Sequence, residues 1–200
     1  MGFLRIFNHG VPFHLMKSML DAVRGFHEQP QELKKAWKVT SEYKKYMQQL
    51  KETLLELLSE GLGLRRDYLA RIGCMKGAHI AFHYYPSSPQ SELTIGASSH
   101  TDASFLTVLL ESYIGLQIVS NDKFKSVNHR VLARSVGPRT SVPCFFVPAA
   151  AVRDKPYGAA EQLVSAENPA IYKATSIRQY FPYYRSNGRD GRLVLPHFKI

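Results

Sequence analysis

Two short polar motifs in the second half of the chain carry residue types that could do chemistry together. The first is His100-Thr101-Asp102, which precedes an apolar run. If this motif lies at a strand edge, residues i and i+2 point to one face, so an imidazole and a carboxylate converge on a common point. His129 is the best candidate for a third donor. Two histidines and one carboxylate leave coordination positions open and suit non-haem Fe(II).

The second motif is Arg139-Thr140-Ser141, which follows His129 closely. On a strand, Arg139 and Ser141 present a planar guanidinium and a hydroxyl on the same face, which suits an incoming carboxylate. Tyr85 can add a phenol to the same anion. An isolated His-x-Asp tripeptide is usually a surface accident. A metal triad beside a carboxylate-binding group instead predicts a site for a 2-oxo acid bound to iron.

Helical patterns come first in the chain, and β-type patterns follow. Helical spacing of apolar residues marks three segments: 11–26, 41–62 and 174–184. β-Branched and aromatic residues mark four short predicted strands: 79–85, 105–110, 114–119 and 141–147. Thr175 or Ser176 is expected to cap the last helix. This segregation predicts an α+β fold with an antiparallel core and argues against a βαβ dinucleotide fold.

Length, composition and charge exclude several classes of protein. The chain has 200 residues, 44% of them hydrophobic, which fits one ordered domain. Its apolar runs are far shorter than the roughly 20 residues of a membrane-spanning helix, and its first residues lack a signal-peptide pattern. A cytoplasmic protein is therefore expected. Lys and Arg outnumber Asp and Glu by 26 to 16, but as scattered short pairs, so neither a nucleic-acid nor a membrane partner is expected.

The cysteines and two further histidines have ordinary structural interpretations. Cys74 and Cys144 form no disulfide or zinc-binding pattern, and Cys144 is interpreted as a small core residue. His79 and His83 have a spacing that suits zinc on a helix, but they lie in a predicted strand. We interpret them as core or pocket-wall residues.

Five segments, in order, resemble the plant Fe(II)/2-oxoglutarate-dependent dioxygenase superfamily. They are residues 2–12 (GFLRIFNHGVP), 84–86 with 96–102 (YYP and GASSHTD), 121–133 (NDKFKSVNHRVLA), 137–146 (GPRTSVPCFF) and 157–200. The ending of the chain, with ENP and PHFKI, is similar to the subgroup of 1-aminocyclopropane-1-carboxylate oxidase homologues.

The resemblance implies a double-stranded β-helix, or jelly-roll, core with flanking N-terminal helices and a C-terminal helix. It implies three iron ligands: His100, Asp102 and His129. It implies three residues that hold 2-oxoglutarate: Arg139, Ser141 and Tyr85. The implied cofactors are Fe(II), 2-oxoglutarate as co-substrate and dioxygen, with ascorbate as an optional addition. The implied regions are a helical region (1–75), a shortened oxygenase core (76–150) and a C-terminal extension (151–200).

This sequence departs from the family pattern inside the core. The interval between Asp102 and His129 is shorter than in the family, which predicts a β-helix that lacks about two strands. A pocket-lining segment is also shortened near residues 38–42, and residues 83–86 read HYYP where the family has Asn-x-Tyr-Pro. When an even number of antiparallel strands is lost, the chain still re-enters the sheet in the same direction. We therefore expect His129 still to reach the other two ligands.

The resemblance implies Fe(II)- and 2-oxoglutarate-dependent oxidation, usually hydroxylation, of a small organic substrate in plant secondary metabolism. A catalytically inactive shortened isoform or a binding protein is the alternative from another class, and the missing strands favour it. Ethylene formation of the aminocyclopropane-carboxylate oxidase type, in which ascorbate and bicarbonate replace the keto acid, is the second enzymatic alternative.

Overall fold

The computed structural model describes residues 5–28, 37–110, 117, 119–188 and 192–200. Its α-helices are α1 (Phe13–Glu28), α2 (Trp37–Gly61), α3 (Tyr68–Ile72) and α4 (Ile177–Asn187). Its strands are β1 (Gly77–Ile80), β2 (His83–Tyr85), β3 (Ile95–His100), β4 (Leu106–Leu109), β5 (His129–Leu132), β6 (Arg139–Ser141) and β7 (Pro143–Val147). Short 3-10 helices follow at Ala150–Val152, Glu161–Leu163 and Leu195–Phe198.

The first two helices pack against each other through single apolar faces, as their spacing predicts. Leu15, Met19 and Val23 recur every fourth residue along α1, and all three are buried. Tyr43 and Met47 do the same on α2. These residues belong to one hydrophobic core with the inner faces of β4 and β7. The predicted N-terminal helices are therefore confirmed.

The described strands form three small antiparallel sheets. β7 lies between β1 and β4 in the first sheet, β2 pairs with β6, and β3 pairs with β5. The strand predicted over 105–110 is confirmed as β4. Helices precede these sheets and α4 follows them, so the predicted α+β fold with an antiparallel core is confirmed.

The prediction of one continuous strand over 79–85 is wrong. That segment divides into β1 and β2, joined by Ala81 and Phe82, and the two strands belong to different sheets. The strands that pair with β1 and β2 are also separated, because Val142 lies between β6 and β7. The strand predicted over 141–147 is therefore interrupted as well. Val142 is fully buried. A paired ribbon therefore bends around this residue from one sheet into the next.

Two observed strands were not predicted, and one predicted strand lies mostly outside the described residues. β3 has the sequence IGASSH, whose small and polar residues carry little strand signal. β5 has only four residues, and they alternate between half-buried and exposed. Of the strand predicted over 114–119, only Gln117 and Val119 lie among the described residues, and both are in turns.

The C-terminal helix begins at a capping box. The Ser176 hydroxyl accepts a hydrogen bond from the Gln179 backbone N–H, and the Gln179 side chain accepts one from the Ser176 backbone N–H. Ser176, rather than Thr175, is thus the N-cap. Further along α4, the Tyr184 hydroxyl donates to the Thr101 carbonyl oxygen at 2.8 Å. Among the described residues, no helix is long and apolar enough to cross a membrane.

Candidate metal centre and carboxylate clamp

Three potential metal ligands meet at one end of the β3–β5 pair. His100, the last residue of β3, lies opposite His129, the first residue of β5. Asp102 lies two residues after the end of β3 and is not part of the strand. The side chains of His100 and Asp102 nevertheless line the same cavity, and Thr101 between them is buried. The ligand atoms of the three residues lie within 4.8 Å of one another. We name His100, Asp102 and His129 the metal corner.

Backbone hydrogen bonds fix the tautomer of both imidazoles. Nδ1 of His100 lies 2.7 Å from the Ser98 carbonyl oxygen, and Nδ1 of His129 lies 3.2 Å from the Val127 carbonyl oxygen. A carbonyl oxygen only accepts, so in the neutral form of each ring Nδ1 carries the proton and Nε2 keeps the lone pair that a metal needs. Such contacts orient a histidine for metal binding before the metal arrives.

The donor distances suit a single ion. The Nε2 atoms of His100 and His129 lie 3.8 and 3.7 Å from Oδ1 of Asp102. With metal–ligand bonds of about 2.1 Å, two donors of one ion lie at most about 4.2 Å apart. The Asp102 side chain is only 10% exposed, and the two imidazoles are about a quarter exposed. The donor set therefore fits Fe(II) with positions left open for other ligands.

The β2–β6 pair presents the residues predicted to bind a carboxylate. We name Tyr85, Arg139 and Ser141 the carboxylate clamp. Tyr85 lies opposite Arg139, whose guanidinium carbon is 5.6 Å from the centre of the Tyr85 ring. Ser141 is buried. Burial raises the pKa of Tyr85 although Arg139 opposes this, so the phenol stays protonated and can donate a hydrogen bond.

One cavity of about 150 Å³ joins the two groups. All six predicted site residues line it, together with others that include His83, Arg130 and Phe145. The structure thus brings together residues from β2, β3, β5 and β6 and the loop after β3, although their roles as ligands remain predictions. Gly96 allows this approach, because a Cβ atom there would lie 2.8 Å from Cδ1 of Tyr85.

The cavity is lined by further residues besides the six predicted ones. His83 was interpreted as a core or pocket-wall residue, and it does line the cavity, but His79 is exposed and that part of the interpretation is wrong. Arg130 and Phe145 were not identified as lining residues. The signal for His83 was its position two residues before Tyr85 on a strand, which places both on one face. Cys144 is buried in the core, as predicted.

Family models match two parts of the chain. Residues 1–70 match the model described as non-haem dioxygenase in morphine synthesis N-terminal. Residues 76–115 match the 2OG-Fe(II) oxygenase superfamily.

Curated plant proteins match the whole chain. 1-Aminocyclopropane-1-carboxylate oxidase homolog 1 of Arabidopsis thaliana is 34% identical over 274 positions, which cover all of this chain and 75% of that protein. Deacetoxyvindoline 4-hydroxylase of Catharanthus roseus is 33% identical over 279 positions, covering all of this chain and 70% of that protein. Both alignments are longer than the 200 residues of this chain, so these relatives carry residues within the aligned range that it lacks.

Solved structures confirm the fold. The crystal structure of JOX2 in complex with 2OG, Fe and JA gives a TM-score of 0.89 at 24% identity, covering 100% of this chain and 82% of that one. The crystal structure of the rice dioxygenase for auxin oxidation gives a TM-score of 0.82 at 20% identity, covering 100% of this chain and 90% of that one. The predicted jelly-roll core, shortened relative to the curated proteins, is thereby confirmed. Together with the identity to the plant proteins, these findings show that the chain belongs to the 2OG-Fe(II) oxygenase superfamily, whose members use Fe(II), 2-oxoglutarate and dioxygen.

Proposed function

We propose that this chain uses Fe(II) and 2-oxoglutarate to hydroxylate a small organic molecule. One observation carries the proposal: two imidazole Nε2 atoms with fixed tautomers and one carboxylate share a cavity with an arginine, a serine and a phenol. The first group suits a ferrous ion, and the second suits the distal carboxylate of a dicarboxylic 2-oxo acid.

Each residue has a distinct role in this proposal. His100, Asp102 and His129 hold the ion, while Arg139 and Ser141 bind the distal carboxylate with support from Tyr85. When bound, the iron supplies dioxygen activation, by which 2-oxoglutarate, dioxygen and a C–H substrate become succinate, carbon dioxide and an alcohol. The chain itself binds and orients the co-substrate. It also limits water at Asp102, whose side chain is nine-tenths buried.

The proposed reaction type rests on the relatives. One of them is named as a 4-hydroxylase, which favours hydroxylation over other oxidations. Others are named as homologs of 1-aminocyclopropane-1-carboxylate oxidase, which keeps ethylene formation as the second enzymatic candidate. A catalytically inactive binding protein is the candidate from another class, because the relatives contain residues inside the aligned range that this chain lacks.

Succinate release from 2-oxoglutarate tests the proposal. The purified chain is incubated in air with Fe(II), ascorbate and 2-oxoglutarate, and succinate is quantified. We expect release that depends on Fe(II), disappears in Asp102→Ala and persists in His14→Ala, which changes an exposed histidine of α1. Absence of succinate from folded protein would favour the inactive binding protein. Conversion of 1-aminocyclopropane-1-carboxylate with ascorbate, but without consumption of 2-oxoglutarate, would favour the ethylene-forming reaction.

A further inference from the structure

The β3–β5 pair has one open edge. Among the described strands, β5 pairs with β3 and with no other. Beyond the end of β5, the Ala133 N–H donates to the Thr94 carbonyl oxygen and the Ser88 N–H donates to the Arg134 carbonyl oxygen, so these partners also come from the segment just before β3. In an antiparallel pair, every second residue directs its N–H and C=O away from the neighbouring strand. The far edge of β5 therefore presents groups that a further strand can bind.

Cationic and aliphatic side chains alternate along this edge. Arg130, Leu132, Arg134 and Val136 follow one another at every second position, and all four are exposed. Leu132 lies opposite the exposed Ile95 in the β3–β5 register, so the aliphatic surface extends onto β3. We name Arg130, Leu132, Arg134 and Val136 the β5 edge face. A strand that pairs with β5 would place its own side chains directly beside them.

The positive charge of the β5 edge face is not neutralised within the part of the chain that the structure describes. Arg130 and Arg134 form no ion pair there, whereas Arg65, Arg66 and Arg178 each pair with a carboxylate. The sequence from residue 123 to residue 136 contains four Lys or Arg residues and no Asp or Glu. This segment therefore attracts anionic groups.

Charge decides which occupant suits the edge. A second copy of this chain has a formal net charge of +10 and would bring its own arginines to the same edge. Charged residues on edge strands oppose indiscriminate pairing in this way. An acidic strand instead places carboxylates beside the arginines and apolar side chains beside the aliphatic residues, which are the favourable cross-strand pairs.

We propose that the open edge of β5 binds an extended acidic segment of another protein. The segment adds as an antiparallel strand, with carboxylates opposite Arg130 and Arg134 and an apolar residue opposite Leu132. Main-chain hydrogen bonds supply the affinity in this mode of recognition, and alternate side chains supply the specificity. The interval that is predicted to lack about two strands ends where β5 begins, so the segment would lie beside the shortened part of the core. The proposal is independent of the proposed function.

A pair of synthetic peptides tests the proposal on the unmutated chain. The acidic probe is Glu-Thr-Val-Thr-Glu-Thr-Val-Thr with blocked ends and a fluorescent label, and the basic probe has Lys in place of each Glu. Fluorescence anisotropy gives the two dissociation constants. We expect the acidic probe to bind at least about tenfold more tightly at about 0.1 M salt, and the difference to shrink at about 0.5 M salt. Equal affinities, or no binding of the acidic probe, would overturn the proposal.

Substitutions in the chain locate the binding surface. Arg134→Glu places like charges beside each other and should weaken binding of the acidic probe about tenfold. Leu132→Glu should have a similar effect. Arg153→Glu changes an exposed arginine outside the β5 edge face and should bind the probe as the wild type does. Wild-type affinity in both Arg134→Glu and Leu132→Glu would overturn the proposal.

Modified probes distinguish strand addition from charge attraction, and they need no variant that must fold. Methylation of the backbone nitrogens at every second residue blocks hydrogen bonding along one edge of the probe only. Because β5 engages one edge of the added strand, we expect methylation of one alternate set to abolish binding and methylation of the other set to be tolerated. Equal binding of the two methylated probes would mean that no strand is added.

Two other occupants would give different results. A dimer of the chain alone in sedimentation equilibrium that Leu132→Glu abolishes, without binding of the acidic probe, would assign the edge to a second copy. Binding to vesicles of phosphatidylserine and phosphatidylcholine, without binding of the acidic probe, would assign it to an anionic membrane. Either result would overturn the proposal.

Discussion

The metal corner and the carboxylate clamp are each built on a two-stranded antiparallel pair, but they connect to the core differently. The clamp strand β6 continues through the buried Val142 into β7, the central strand of the three-stranded sheet. The β3–β5 pair of the metal corner has an irregular register, and its opposed residues Ile95 and Leu132 are both exposed. The clamp therefore depends on packing of the whole core, and the metal corner depends mainly on a few hydrogen bonds to backbone carbonyl oxygens.

This difference explains how a site can form in a shortened core. The metal corner rests on the register of His100 opposite His129 and on the backbone carbonyls of Ser98 and Val127 that orient their rings. Of these residues only Val127 lies between Asp102 and His129, the interval predicted to be shortened, and it comes two residues before His129. A ferrous ion bound to three ligands would further stabilise this corner, because binding to the folded state alone raises stability.

Loss of a metal ligand should have the largest effect. Asp102→Ala removes the only carboxylate of the metal corner, and we expect Fe(II) affinity to fall by about 100-fold or more. The thermal midpoint of the metal-free protein should change little, because the corner contributes little to the core. Anaerobic Fe(II) titration and differential scanning fluorimetry measure the two quantities, with His14→Ala as the control. Wild-type metal affinity in Asp102→Ala would show that the metal corner is not the iron site.

Loss of the clamp arginine should affect the other half of the site. Arg139→Ala should weaken 2-oxoglutarate binding by about 1.5 to 3 kcal/mol, the contribution of a charge-assisted hydrogen bond, and leave Fe(II) affinity unchanged. The 2-oxoglutarate affinity of Arg139→Lys should lie between those of the wild type and Arg139→Ala, because lysine keeps the charge but not the planar guanidinium. The exposed Arg134 provides the control variant Arg134→Ala. Equal losses of metal and 2-oxoglutarate binding in Arg139→Ala would mean that Arg139 supports the fold.

A core substitution tests whether the clamp depends on packing. Val142→Ala leaves a cavity at the bend between β6 and β7 and should lower the free energy of unfolding by about 2 kcal/mol. We expect 2-oxoglutarate affinity to fall with it, while Fe(II) affinity stays close to that of the wild type. Urea denaturation measures the free energy of unfolding, and titrations with 2-oxoglutarate and Fe(II) measure the two affinities. Val136→Ala, at an exposed position, is the control. An equal fall in both affinities would remove the proposed distinction.

The C-terminal helix should influence only the metal corner. Tyr184→Phe removes the hydroxyl that donates to the Thr101 carbonyl oxygen, between two proposed ligands. One such hydrogen bond contributes about 1 kcal/mol, so Fe(II) affinity should fall about fivefold. The control is Tyr183→Phe, whose ring stacks on His197. If both variants bind Fe(II) equally well, the helix does not support the corner.

The smallest effect should come from the pH dependence of stability. The pKa of His83 is lowered in the folded protein, chiefly by burial, so the unfolded state binds more protons as the pH falls below about 6.5. The wild type should then lose stability relative to His83→Asn between pH 7 and pH 5. Arg139 contributes to this loss, and Asp102 opposes it. Parallel stability curves for the two proteins over this range would contradict the lowered pKa.

Local patterns in the sequence predicted much of the fold and several of the residues that the structure brings together in the cavity. Amphipathic spacing identified α1, α2 and α4, because one face of each helix must meet the core or a neighbour. Arg139 and Ser141 were correctly placed on one strand, since alternation along a strand is a local property. The same rule would have placed His83 beside Tyr85.

Tertiary features could not be predicted from local patterns. The bend at Ala81 and Val142 arises because β1 and β2 pair with strands of different sheets, which a continuous apolar run does not reveal. β3 is held in place by its pairing with β5 and by the approach of Tyr85 to Gly96, rather than by strand propensity.

We propose that the metal corner and the clamp assemble one working site despite the shortened core. The most direct measurement is the anaerobic visible spectrum of the purified chain with Fe(II), before and after addition of 2-oxoglutarate. Our account predicts a weak metal-to-ligand charge-transfer band that saturates at one 2-oxoglutarate per chain and is lost in Asp102→Ala. Absence of this band from protein with a cooperative thermal transition would contradict the account.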